Sequence, residues 1–189
     1  MNFALSARLF AVLLCLCWVL TAADPVRAAE PPVRAQTVAE TPLGVGALVL
    51  GILGYTGWPG EPRPLNLCLS RGSADAVAIQ LQFEQARPGR NWTLRSIEPD
   101  APLPDSCDAV YLDGWQAAPL RQALRTLATR PVLSIGRGPE FCSDGGLFCL
   151  ENSPTGLRFE ANLDAIGRSG LRVNPLVLRL VRPRPMVNS

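Results

Sequence analysis

Histidine and lysine are both missing: the chain has no histidine, and each of its 18 basic residues is an arginine. A histidine general base, a lysine Schiff base and a Ser-Lys dyad are thereby excluded, because arginine stays protonated and supplies neither a base nor an amine nucleophile. Net charge is small as well. A formal value of +2 falls well short of the strongly basic footprint of a dedicated nucleic-acid binder, so no nucleic-acid partner is expected. Phosphate-cradling loops are also absent: Gly136-Arg137-Gly138 lacks a third glycine at the required offset and a following Lys-Ser/Thr, and reads as a turn. What is abundant is apolar. Of the 189 residues, 48% are hydrophobic and 18% charged, the composition of one folded domain and not of a disordered chain.

The front of the chain has the layout of an export signal. Arg8 precedes the apolar run Leu9 to Leu20, and small residues follow from Thr21, with Thr21-Ala22-Ala23 and Val26-Arg27-Ala28 as two candidate cleavage sites. Twelve apolar residues make about 18 Å of helix against a hydrocarbon core of about 30 Å, so the segment is read as cleaved, leaving no stable membrane insertion. The expected organisation is a leader at 1–28, a proline-punctuated arm at 29–42, one domain at 43–182 and a tail at 183–189.

Cys15 and Cys17 leave with the leader, and Cys68, Cys107, Cys142 and Cys149 remain. An even number in an exported chain favours disulfides, and three pairings are open. Cys142 and Cys149 flank the flexible turn Ser143-Asp144-Gly145-Gly146 and are paired here, which leaves Cys68 with Cys107. A four-cysteine zinc site is the rival, but paired C-x-x-C knuckles are lacking, and no metal or cofactor is expected.

Hydrophobic patterning predicts alternating helices and strands. The uncharged stretch Leu43 to Trp58 reads as a buried helix, and Leu65 to Leu69, Trp92 to Ile97, Ala109 to Leu112 and Pro131 to Ile135 read as strands. Between them, Ala74 to Gln85 is assigned to a helix although Val77, Ile79, Leu81 and Phe83 leave its period ambiguous. Pro119 to Leu127 is a clear amphipathic helix with Leu120, Leu124 and Leu127 on one face. Cys68 and Cys107 are expected at similar heights on two strands. A hairpin follows, Leu147 to Leu150 and Leu157 to Glu160, then a short helix Leu163 to Ile166 closed at Gly170. A last helix opens at Asn174-Pro175, with Leu176, Leu178, Leu180 and Val181 as its apolar side. The predicted fold is a single compact, Rossmann-like α/β domain with a mixed sheet flanked by helices and stapled by disulfides.

No catalytic constellation emerges. Asp105, Asp108 and Asp113 lack calcium-loop spacing, no pair among the sixteen acids is singled out for glycoside chemistry, and the cysteines have no histidine to activate them. One charge feature stands out: from Asn162 onward Arg168, Arg172, Arg179, Arg182 and Arg184 face the single acid Asp164. Arg168, Arg172 and Arg179 are therefore the candidate partner-binding residues, a docking surface for an acidic partner or ligand.

Three segments carry a resemblance. FEANLDAIGRSGLRVNPLVLRLVR (Phe159 to Arg182), ILGYTGWP (Ile52 to Pro59) and LCLS around Cys68, together with Cys142 and Cys149 about a Gly-Gly turn, resemble the YfiR family. The resemblance implies a periplasmic protein without enzymatic activity, usually dimeric, that represses an inner-membrane diguanylate cyclase by binding its periplasmic part. The same signalling system includes an outer-membrane lipoprotein. It also implies disulfides at Cys68 with Cys107 and Cys142 with Cys149. Ala161 and Ile166-Gly167 depart from the family tail. The expected function is a redox-sensitive repressor controlling cyclic-di-GMP. The alternative is a periplasmic small-ligand binding module, with Trp58 or Trp115 as a stacking surface.

Overall fold

The computed structural model describes residues 43–60, 63–86, 92–154 and 156–181; the leader, the arm and the tail lie outside the described residues. Helix α1 (Val45–Gly54) leads into a short strand β1 (Thr56–Gly57), and β2 (Leu65–Ser70), α2 (Ala76–Ala86), β3 (Trp92–Ile97) and β4 (Ala109–Leu112) follow. Next come α3 (Ala117–Leu127), β5 (Leu133–Arg137), α4 (Pro139–Ser143), β6 (Phe148–Ser153) and β7 (Gly156–Ala161). Helix α5 (Leu163–Ser169), β8 (Arg172–Val173) and a 3-10 helix (Pro175–Val181) complete the described chain.

Six strands form a mixed sheet in the order β3-β2-β4-β5-β6-β7, with β6 and β7 antiparallel and every other junction parallel. Strand alternation divides the core in two. Leu67, Leu69, Ala109, Tyr111, Leu133, Ile135, Phe148 and Leu150 face α1, α2 and the 3-10 helix. Cys68, Val110, Leu112 and Cys149 face α3 and α4. Burial on both faces is why β2, β4 and β6 read as near-continuous apolar runs. Separately, β1 pairs antiparallel with β8, fastening the start of the domain to its end.

Three expectations need correction. In α2, a four-residue step buries Ile79 and packs Phe83 on the core, while Val77 and Leu81, the other members of the alternation, stand 69% and 52% exposed. The last helix is 3-10, so a three-residue period directs Val177 and Leu180 inward and leaves Leu176 and Leu178 outside. Cys107 lies in the turn before β4, not on it, because Leu67 pairs with Ala109. The closure of α5 at Gly170 stands, at φ 75°, and at its other end Asn162 caps the helix by accepting from the Ala165 N–H at 3.0 Å. The short α4 was not foreseen. It places Phe141 between Gly136 and Gly146, where a Cβ on either glycine would overlap the ring.

Candidate functional site

Strand order locates the place where such a fold would receive a ligand. β2 leads outward to β3, and the chain then returns to β4 on the other side of β2, so the topological switch lies at the carboxyl ends of β2 and β4. Polar side chains converge there. Asp75, just before α2, accepts two bonds from Arg137 at the end of β5, from Nε at 2.6 Å and Nη2 at 2.7 Å, and a third from the Tyr111 hydroxyl of β4. Burial pushes the Asp75 carboxyl upward, but the Arg137 and Tyr111 bonds outweigh it and hold the group below the usual carboxylate value. Burial, and then the neighbouring carboxylate, push the Tyr111 phenol well above its ordinary value. The Asp75 bond raises Arg137 in turn.

The same crevice is stitched a second time. Ser73 Oγ donates to Asp113 at 2.8 Å, Trp115 Nε1 donates to Ser70 Oγ at 2.7 Å, and Ser70 Oγ donates to the Tyr111 carbonyl at 3.0 Å. The loops after β2 and β4 are thus bonded to each other across the position a ligand would take. Its polar groups are satisfied by the protein's own side chains, and no buried side-chain polar atom is unpaired among the described residues. Gly136-Arg137-Gly138, expected as a turn, is the end of β5 running into α4, and its arginine is a centre of this network.

The sequence candidates are dispersed. Cys68 is bridged to Cys107 and Cys142 to Cys149, each with Cα atoms 5.7 Å apart, and all four cysteines lie in the α3/α4 core. The first bridge ties mid-β2 to the turn entering β4; the second ties α4 to β6. The three aspartates do not meet: Asp108 pairs with Arg63 at 2.5 Å, Asp105 with Arg130 at 3.0 Å, and Asp113 takes the Ser73 hydroxyl. Hydrogen bonding to Asp108 raises Arg63. No group of three or more metal-ligating side chains forms among the described residues. Trp58 bonds the Asp108 carbonyl at 3.0 Å and meets Trp92 edge-on, and Trp115 is bonded as above. Arg168, Arg172 and Arg179 are all exposed, on α5, β8 and the 3-10 helix. Outside the crevice, Glu160, Asp164, Asn162, Cys142 and Ser143 line an open cavity of about 400 Å³. Both acids are exposed, whereas glycoside chemistry needs one carboxyl in dry, apolar surroundings.

A hydrogen-bonded switch point, two disulfides and an antiparallel β6/β7 hairpin define a disulfide-stapled α/β domain of the doubly wound kind. Residues 45–182 match the YfiR/HmsC-like family, and the chain belongs to it. No helix among the described residues is long and apolar enough to cross a membrane.

Proposed function

We propose that this protein is a non-catalytic periplasmic regulator, exported by its leader at 1–28, that binds the periplasmic part of an inner-membrane diguanylate cyclase and represses it as a dimer. The observation that carries the reading is the family match across residues 45–182. The hydrogen bonding at the switch point is consistent with it, since Asp75, Tyr111 and Arg137 bond to one another there and Ser73 and Trp115 bond to Asp113 and Ser70. Arg168, Arg172 and Arg179 form the docking surface toward the partner.

Repression works by population shift. A repressor biases its target only by binding the inactive state more tightly, and a tenfold bias takes about 1.4 kcal/mol. Reducing a bridge loosens the domain and weakens that preference, which couples envelope redox state to the cyclase. Deleting the gene is expected to raise cellular cyclic-di-GMP; an unchanged level removes the proposal. A second reading, a small-ligand module, is favoured by the open cavity beside Cys142. Calorimetry against a metabolite panel separates the two, because a protein-docking domain gives no heat.

A further inference from the structure

The C-terminal segment combines exposed leucines with exposed arginines. Its 3-10 period leaves Leu176 and Leu178 41% and 40% exposed, and Arg179 stands one turn beyond Leu176 on the same side. Arg172 on β8 and Arg168 on α5 are exposed as well, and none of these three guanidiniums has an ion pair or hydrogen bond among the described residues.

Among the described residues, the elements packed on this segment supply no counter-charge. α1, which packs on the 3-10 helix, and β1, which pairs with β8, contain no charged residue. β7 also packs there, but its Arg158 and Glu160 alternate with Phe159 and fall on the sheet face that carries Cys149. Asp164 is the single acid from Asn162 to Val181, and the sequence beyond adds Arg182 and Arg184 with no acid.

Unpaired arginines beside outward leucines fit the boundary of an anionic bilayer, where guanidiniums meet phosphates and short apolar side chains reach the acyl edge. A protein groove with acidic walls and an apolar floor is the rival occupant, and the vesicle test separates the two. We propose that Arg172, Leu176, Leu178 and Arg179 form a face that seats the domain on an anionic phospholipid surface. The identity of that surface as the membrane holding the cyclase rests on the regulatory reading; the lipid binding does not.

The test is co-sedimentation of the exported protein, purified from the periplasm, with vesicles of phosphatidylcholine alone or mixed with phosphatidylglycerol. Binding is expected to the mixed vesicles only and to disappear in high salt. Arg172→Gln with Arg179→Gln is expected to weaken it about 25-fold, at about fivefold per arginine. Leu176→Ser with Leu178→Ser weakens it too, with thermal melting confirming that each variant is folded. Equal binding to both vesicles, binding to neither, or variants that bind like the parent overturns the lipid face. If neither vesicle binds while the arginine variant loses control of cyclic-di-GMP in cells, the face belongs to a protein partner and the lipid proposal alone falls. If vesicles bind as expected but deletion leaves cyclic-di-GMP unchanged, the lipid face stands and the regulatory reading falls.

Discussion

Asp75 is the shared acceptor of two side chains, taking two bonds from Arg137 and one from Tyr111. Removing each partner has a different cost. Tyr111→Phe deletes one hydrogen bond and leaves Asp75 held by the guanidinium, an expected loss of about 1 kcal/mol in urea denaturation. Arg137→Met strands a carboxylate that is largely buried, with an expected loss of about 3 kcal/mol. The pH dependence has a definite sign. Asp75 ionises at lower pH in the fold than in the unfolded chain, so the unfolded chain binds more protons between the two values and stability rises with pH there. Its contribution is complete above about pH 4 and is lost as pH falls through the folded value. Urea midpoints measured into the acid range are expected to fall less steeply for Asp75→Asn than for the parent. This trio was illegible in the sequence: Asp75 stands 36 residues from Tyr111 and 62 from Arg137, and only the strand order brings them together.

Elements were far more legible than their orientations. Strands β2 to β7 stand close to where the sequence predicted them: β2, β4 and β5 as short apolar runs buried in the parallel part of the sheet, and β6 and β7 as a hairpin about a turn. The alternation from Val77 to Phe83 suits a strand, yet α2 forms, and a helix cannot bury residues two apart on one side. Ile79→Ala is therefore expected to cost about 2–5 kcal/mol, and Val77→Ser to stay within about 0.5 kcal/mol, in the same urea assay. A reversal of those two values would mean that α2 packs by a different face. The 3-10 turn escaped notice for a related reason: Asn174-Pro175 marks a helix start but does not say which period follows. The cysteine pairing was legible because a Gly-Gly turn leaves Cys142 and Cys149 free to approach. In the chain-entropy relation, serine pairs replacing the short bridge cost about 2.5 kcal/mol and those replacing the long one about 4 kcal/mol. Denaturation without reductant gives both figures directly.

For the molecule as a whole, the proposed function lies on the surface. The chain has no histidine or lysine, and the loops after β2 and β4 are hydrogen-bonded to each other at the switch point; under the regulatory proposal the protein acts by holding another molecule. Its basic C-terminal segment was visible as charge in the sequence; that three of those arginines lie exposed and unpaired among the described residues came from the fold. The most direct test is turnover itself: conversion of GTP to cyclic-di-GMP by membranes from cells lacking this protein, with the purified protein added to their periplasmic side. Suppression of the rate by the parent, and less by the Arg168, Arg172 and Arg179 glutamine triple variant, is the expected result. A rate indifferent to the added parent protein would contradict it.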